Sequence, residues 1–256
     1  FIFVGPTGVG KTELVKRIAQ EVFDGEDALI RLDMSEYMEK HSVAKLIGSH
    51  TGYVGYDDAG QLTEKIRRHP YSVILLDEIE KAHEDVFNIL LQILDDGILT
   101  DSQGRRVDFK NCVIIMTSNV GARLINEEKV SFGFGANENS HSDEKIKEAV
   151  MNELKNTFRP EFLNRIDDTI VFTRLSENDI KEIAKRLLKS LEKRMSDIEI
   201  SMTFDDSVVD FVSKKGFDKI YGARPLKRAI QTDIEDILSE KILDKSIEKG
   251  KSYICS

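Results

Sequence analysis

The chain opens with a short apolar run, a glycine-rich turn and a helical stretch, and this segment constrains the fold more than any other. Residues 1–12 are FIFVGPTGVGKT and contain the pattern G-x-x-x-x-G-K-[ST]. Glycines at such positions let successive backbone N–H groups face inward, where they favour an anion together with the lysine ammonium and the helix N-terminus. The threonine hydroxyl that follows can hold Mg²⁺. The pattern therefore predicts a phosphate-binding loop and with it a nucleotide site.

The position of this loop argues against a chance glycine turn. A strand-like run precedes it and the amphipathic stretch Glu13–Val22 follows it, as a P-loop requires. The residues expected to bind the nucleotide are Gly5, Pro6, Thr7, Gly8, Val9, Gly10, Lys11 and Thr12. No initiator methionine or lead-in precedes Phe1, so the chain is expected to be a piece of a longer protein.

Composition excludes several classes of protein. With 256 residues, 40% hydrophobic and 32% charged, the chain can bury a sizeable core in one large domain or two small ones. The net charge of −9, with basic residues interleaved with acids, argues against nucleic-acid binding. No apolar run approaches a membrane span, and no secretion signal opens the chain. Cys112 and Cys255 make neither a disulfide framework nor a metal-ligand spacing, so a cytoplasmic protein is expected.

Strand-like and helix-like segments alternate through the first two thirds of the chain. The continuous apolar runs Tyr71–Leu76 and Cys112–Met116 predict strands buried on both faces of a parallel sheet, and Ala28–Leu32 predicts a shorter strand. Glu84–Asp96 has the spacing of an amphipathic helix, whereas Met34–Tyr37 is expected to lead into a polar segment that ends near Ile47. The alternation predicts a doubly wound α/β domain over residues 1–172, with its site at the carboxyl ends of the strands.

From about Thr173 the pattern becomes mostly helical, which predicts a second, smaller domain over residues 173–256. Ser176–Asp179 resembles a capping box, and apolar residues follow it at helical spacing. Pro225 is expected to open the final helix. The predicted apolar face of that helix is Leu226, Ile230, Ile234, Ile237, Leu238 and Ile242.

Polar residues that follow two buried runs are the candidates for chemistry. The strand ending at Leu76 would deliver Asp77 to the carboxyl edge of the sheet, where it can bind Mg²⁺ through water, and would place Glu78 to polarise an attacking water. Alternatively, both acids only cap the next helix. Asn119 follows the neighbouring strand and could orient that water or touch the terminal phosphate, or serve only as a turn residue.

Five segments occur in a distinctive order along the chain: residues 5–12, 73–78, 117–119, 159–167 and 222–225. They resemble the Walker A, Walker B, sensor-one, arginine-finger and sensor-two segments of AAA+ ATPases, and within that class of the Clp-type protein unfoldases. The resemblance covers essentially the whole chain and is greatest to the C-terminal ATPase module of ClpC and ClpE. It implies a P-loop core with a parallel sheet flanked by helices, a small helical subdomain, and ATP hydrolysis with Mg²⁺.

The resemblance also implies roles that spacing alone does not explain. Arg165 would be an arginine finger that enters a neighbouring subunit's site, whereas Arg159 would only pair with a nearby carboxylate. Arg224 would contact the γ-phosphate from the helical subdomain, unless it is an ordinary surface arginine. Tyr53 and Val54 match the loop that grips protein substrates in the pore of a hexameric ring, unless the tyrosine folds back on its own domain.

The tripeptide Phe132-Gly133-Phe134 resembles the hydrophobic-Gly-Phe motif with which protease-partnered Clp unfoldases dock onto the ClpP peptidase. Exposed phenylalanine in a polar stretch favours a partner, although both rings could pack under their own domain. Without that partner, the chain would resemble a ClpB-like disaggregase. A nucleic-acid motor is disfavoured by the acidic balance. A non-enzymatic assembly module would lack one of the expected catalytic residues, and none is missing.

Overall fold

A computed structural model describes residues 1–23, 25–48, 60–125, 139–218 and 222–255 of the chain. They form two compact units, which are described separately below. The first unit contains Phe1–Gly5 and Gly10–Phe172, and the second contains Pro6–Val9 and Thr173–Ser256. Within the described ranges, no helix is both long and apolar enough to cross a membrane.

The first unit is built on a five-stranded sheet. The strands of this unit are β1 (Ile2–Val4), β2 (Leu29–Asp33), β3 (Val73–Asp77), β4 (Ile98–Thr100), β5 (Arg106–Asp108), β6 (Val113–Ser118) and β7 (Thr169–Val171). The sheet has the order β2-β3-β6-β1-β7, and all of its strand pairs are parallel. The remaining two strands, β4 and β5, form an antiparallel hairpin.

Helices lie between these strands along the chain. They are α1 (Lys11–Phe23), α2 (Lys40–Ile47), α3 (Gln61–Arg68), α4 (Glu84–Asp96), α5 (Asn139–Thr157) and α6 (Pro160–Leu163), with short 3₁₀ helices at Glu26–Ala28, Met34–Tyr37 and Ile79–Lys81. This arrangement confirms the predicted parallel α/β core.

Alternate residues of each strand enter different apolar clusters, because successive side chains of a strand point to opposite faces of the sheet. Ile74 and Leu76 of β3 belong to one cluster, together with apolar residues of α2 to α5. Val73 and Leu75 belong to the other, together with Val15 and Ala19 of α1. Since both faces of the sheet are covered, β3 is buried along its whole length. The continuous apolar run in the sequence is therefore explained.

No helix was predicted at Met34–Tyr37 or in the polar segment that follows it and ends near Ile47. These residues form a 3₁₀ helix and α2, and they bury Met34, Tyr37, Val43 and Leu46. Their apolar residues are spaced by three within each helix, and the charged residues between them face solvent. Both helices are too short for the spacing of their apolar residues to be recognised in the sequence. Burial against the core beside the sheet stabilises them.

The second unit is mostly helical, as predicted. Its elements are α7 (Glu177–Asp197), β8 (Ser201–Phe204), α8 (Asp206–Gly216), α9 (Arg224–Ile230), α10 (Asp236–Leu243) and β9 (Ser252–Cys255). The predicted capping box is present, since the Ser176 hydroxyl accepts from the Asp179 N–H and the Asp179 carboxylate accepts from the Ser176 N–H. The parallel pairing of β8 with β9 was not predicted.

The final helix differs from its prediction at one position. A π-helical segment, Gln231–Glu235, separates α9 from α10. A π-turn contains more residues than an α-turn, so it rotates the apolar face of the residues that follow. Ile234 and Leu238 remain buried, but Ile237 is 47% exposed and does not belong to the apolar face.

Candidate functional site

The glycine-rich loop joins β1 to α1. Gly5 has a φ of +151°, and a Cβ at this position would overlap the carbonyl oxygen of Phe172, so no other residue fits here without rearrangement. Gly10 has a φ of +101° and open space where a side chain would lie. The loop therefore leaves room for a ligand in front of the N-terminus of α1, where backbone N–H groups favour an anion.

The middle of the loop clusters with the second unit. The Gly8 carbonyl oxygen accepts a hydrogen bond of 3.0 Å from the Ala223 N–H, immediately before α9. Pro6, Thr7 and Val9 line a small cavity of about 40 Å³ in this unit. Arg224 is the first residue of α9 and its side chain is exposed.

Lys11, the first residue of α1, has a buried ammonium. Only 8% of the residue is exposed, and Nζ donates to the Gly5 carbonyl oxygen at 2.6 Å and to Asn119 Oδ1 at 3.1 Å. Burial lowers the pKa of Lys11 to about 8, while the charges of Glu80, Asp77 and Glu78 oppose this shift. A desolvated cation at a helix N-terminus fits a bound phosphate, which would replace the lost hydration.

The lowered pKa of Lys11 predicts a pH dependence of nucleotide binding. The ammonium attracts phosphate below a pH of about 8, and the neutral amine that forms above it does not. The affinity for ADP, measured by calorimetry without Mg²⁺, is expected to fall roughly tenfold per pH unit above that pKa. The fall should end where Lys11 loses its proton even with nucleotide bound. Lys11→Arg stays charged, so its weaker binding should not change over the same range. A flat profile for the unaltered protein would contradict the assignment.

Asp77 ends β3, and both of its carboxylate oxygens have partners. Oδ2 accepts from Arg31 Nη2 at 2.6 Å, and Oδ1 accepts from the Thr117 hydroxyl. Arg31 lies on β2 and Thr117 on β6, the two neighbours of β3 in the sheet. The carboxylate is thus held in place by side chains on either side of its own strand.

The oxygen atoms that Thr12 and Asp77 offer at this site also fit Mg²⁺. This ion commonly uses one or two protein oxygens, with water and substrate phosphate completing its shell. Thr12 and Asp77 supply a hydroxyl and a carboxylate of the required hard-oxygen type. Among the described residues, no group of three or more His, Cys, Asp or Glu side chains could hold a metal ion without other ligands.

Glu78 follows Asp77 in the left-handed backbone region, with φ +58° and ψ +51°. Few residues with a Cβ adopt this conformation, and it is found where the surrounding structure enforces it. The Glu78 carboxylate pairs with Lys81 Nζ at 2.5 Å, and its side chain is 34% exposed. Glu78 therefore lies at the carboxyl edge of the sheet and remains accessible to water.

Asn119 follows β6 and connects Lys11 to a third acid. Its side-chain oxygen accepts from Lys11, and its backbone N–H donates to Glu80 Oε1 at 3.1 Å. Two of the predicted site residues, Lys11 and Asn119, are thus in direct contact although 108 positions separate them.

The predicted finger residue lies on the segment after α6. Arg165 Nε is 2.5 Å from Asp95 Oδ1 of α4, and the two side chains are 54% and 37% exposed. Arg159 pairs with Glu84 at 3.0 Å, as expected for a surface arginine. The predicted pore residues, Tyr53 and Val54, and the tripeptide Phe132-Gly133-Phe134 lie outside the described residues.

Sequence reasoning assigned no individual role in this site to four residues around it: Arg31, Glu80, Lys81 and Thr117. Three of them contact Asp77 or Glu78 directly, and Glu80 contacts Asn119. Lys81 could have been suspected, since it lies one helical turn after Glu78. Arg31 and Thr117 gave no local signal, because their partners lie 46 and 40 positions away.

Comparisons with known proteins agree with this architecture. Residues 1–169 match the family model of the AAA domain (Cdc48 subfamily), and residues 175–255 match that of the C-terminal, D2-small domain of ClpB protein. The chain is 57% identical over 251 residues to the ATP-dependent Clp protease ATP-binding subunit ClpC of Staphylococcus saprophyticus and, equally, to that of Staphylococcus aureus. These matches cover 98% of the chain and 30% and 31% of the relatives.

A solved structure gives the same result. The chain is similar to Hsp104 in a closed-state cryoEM reconstruction with ATPyS and FITC casein, with a TM-score of 0.84 and 42% sequence identity. The match covers 98% of this chain and 42% of that one. The chain thus spans less than half the length of the proteins it resembles. It belongs to the AAA family of ATPases and is a C-terminal ATPase module of the Clp type.

Proposed function

We propose that this chain binds ATP and Mg²⁺ at the loop Gly5–Thr12 and hydrolyses ATP to thread protein substrates through a hexameric ring in the cytoplasm. The observation that carries the proposal is that Lys11, Asp77, Glu78 and Asn119 lie at or after the carboxyl ends of β1, β3 and β6, three adjacent strands of the sheet. In parallel sheets, ligands bind at this carboxyl edge. The membership of the AAA family supports the same reading.

Each residue would have a separate task. Lys11 would bind the phosphates, and Thr12 and Asp77 would hold Mg²⁺, which supplies charge neutralisation to the transferring phosphoryl group. Glu78 would accept a proton from the attacking water, since its carboxylate is 34% exposed and lies at the carboxyl edge of the sheet. Asn119 would orient the water or the terminal phosphate, because its amide oxygen is already fixed by Lys11.

Two arginines would contact the terminal phosphate of ATP. Arg165 is proposed to enter a neighbouring subunit's site, and its exposed position on the segment after α6 supports this. Arg224 is proposed to act within its own subunit, and its exposed position at the N-terminus of α9 supports this. Tyr53 and Val54 are proposed to grip the substrate polypeptide. Hydrolysis would then depend on assembly, because one subunit cannot supply both halves of a site.

We further propose that the assembly delivers substrates to the ClpP peptidase through Phe132, Gly133 and Phe134. The Staphylococcus relatives are ATP-binding subunits of an ATP-dependent Clp protease, which supports this. The second candidate is a ClpB-like disaggregase without a peptidase. It is favoured by the match of residues 175–255 to the ClpB small domain and by the likeness to Hsp104.

Degradation of an unfolded protein separates these two functions. The purified protein with ClpP and ATP is expected to degrade casein, and deletion of residues 132–134 should reduce the rate at least tenfold, roughly the loss of a hot-spot contact. ATP turnover should stay within about twofold, because no catalytic group is removed. Deletion of residues 126–128 from the same polar stretch is the matched control. Undiminished degradation after deletion of residues 132–134, or none by the unaltered protein, would favour the disaggregase.

A further inference from the structure

Thr117 lies beside the two acids of the proposed site. The register between β3 and β6 pairs Leu76 with Met116, so the next residues along the two strands are Asp77 and Thr117. Thr117 is 1% exposed. A buried hydroxyl of this kind must find its hydrogen bonds within the protein.

The Thr117 hydroxyl makes two such bonds, and they link both acids. It donates to Asp77 Oδ1 and accepts from the Glu78 N–H at 3.2 Å. A hydroxyl has only one proton to donate, so these two bonds together fix its orientation. Since Arg31 holds the other oxygen of Asp77, both oxygens of this carboxylate are hydrogen-bonded, which restricts rotation of the carboxylate group.

The bond to the Glu78 N–H falls at a strained point of the backbone. Glu78 adopts the left-handed conformation, which turns the backbone out of β3 and into the 3₁₀ helix Ile79–Lys81. A residue with a Cβ stays in this conformation only when its neighbours over-determine it. Thr117 supplies one of these constraints from a different strand, because its hydroxyl holds the Glu78 amide.

We propose that Thr117 is a positioning residue for ATP hydrolysis: its hydroxyl ties the Asp77 carboxylate to the Glu78 backbone and so fixes the direction in which the Glu78 side chain leaves the strand. The inference rests on the proposed function of Asp77 and Glu78. It goes beyond that function by assigning a role to a residue to which the proposed function gives none. The competing explanation is that Thr117 only satisfies buried groups and stabilises the fold.

The chain offers a matched control for this distinction. Thr63 in α3 is a second fully buried threonine, at 0% exposure. Its hydroxyl donates at 3.2 Å to the carbonyl oxygen of Gly60, the residue before this helix. Thr63→Val and Thr117→Val remove the same group from the same kind of environment. Thr117→Ser keeps the hydroxyl and removes only a methyl group.

Three measurements on the purified protein test the proposal: hydrogen exchange of the Glu78 amide, ATP affinity, and kcat for ATP. In Thr117→Val we expect Glu78 exchange at least tenfold faster and kcat about a hundredfold lower, with ATP affinity within about threefold, since a misplaced base costs turnover rather than binding. Thr117→Ser should restore both changed values to within about threefold, and Thr63→Val should leave Glu78 exchange and kcat unchanged while lowering the melting temperature.

The outcomes that overturn the inference differ from those that overturn the function. Unchanged Glu78 exchange in Thr117→Val would show that the hydroxyl does not hold this turn. Faster exchange with an unchanged kcat, or an equal loss of kcat in Thr63→Val, would reduce Thr117 to a structural role. An unaltered, assembled protein that binds ATP but does not hydrolyse it would instead contradict the proposed function, whatever the exchange rates are.

Discussion

Replacing Glu78 with Gln is expected to lower ATP turnover by about 10² to 10⁴, the usual contribution of a general base, while ATP binding is retained. The amide has nearly the shape of the carboxylate but cannot accept a proton. Binding should survive because Lys11 keeps its contacts with Gly5 and Asn119, neither of which involves the Glu78 side chain. Single-turnover hydrolysis and equilibrium ATP binding, measured on the same preparation, separate the two effects.

The control for this variant is Glu84→Gln. Glu84 is an exposed acid that pairs only with Arg159 among the ion pairs of the described residues. Exposed pairs contribute less than about 1 kcal/mol, so both turnover and binding should be unchanged. If Glu78→Gln kept turnover within a few fold of the unaltered protein, a different residue would have to be the base.

Replacing Arg165 with Ala is expected to lower turnover by about 10³ to 10⁵ in the assembled protein, the range reported for arginine fingers, with nucleotide affinity largely kept. In the structure Arg165 pairs with Asp95 on its own chain at 2.5 Å. The two side chains are 54% and 37% exposed, so this pair is worth at most about 1 kcal/mol and does not prevent Arg165 from leaving. Arg159 is an exposed arginine immediately before α6, and Arg159→Ala should change turnover by less than about threefold.

A mixing experiment decides whether Arg165 acts on a neighbouring subunit. Subunits with Arg165→Ala retain Glu78, and subunits with Glu78→Gln retain Arg165. If the arginine acts between subunits, mixed assemblies contain some complete sites and should regain turnover that neither variant shows alone. If mixing restores nothing, or if Arg165→Ala loses affinity as strongly as turnover, Arg165 has a role within its own subunit.

Much of the fold could be predicted because it depends on local sequence. Helix α4 begins and ends where predicted, at Glu84 and Asp96, since its apolar spacing and the left-handed Gly97 cap are both local signals. The capping box at Ser176 is equally local. The errors lie where local signals are weak or misleading. Residues 34–47 are two short helices, and the π-turn before Asp236 exposes Ile237.

For the candidate site, too, some features could be predicted from the sequence and others could not. The positions of Gly5, Lys11, Asp77, Glu78 and Asn119 could be predicted because glycine spacing and strand ends are visible in the chain itself. The contact between Lys11 and Asn119 depends on β6 pairing with β1, and nothing local to either residue specifies that pairing. The roles proposed for Arg165, Arg224 and Tyr53 rest on the family resemblance and remain predictions.

The sequence by itself determined the phosphate loop, the strands that carry the acids and the family to which the chain belongs. Only the tertiary structure decided what holds the acids in place. Arg31 and Thr117 reach Asp77 from β2 and β6, and Thr117 also reaches the strained Glu78 backbone. The physical reason is that strand order and register bring together residues 39 to 46 positions apart. Such pairings are selected by burial of the whole sheet rather than by any short segment.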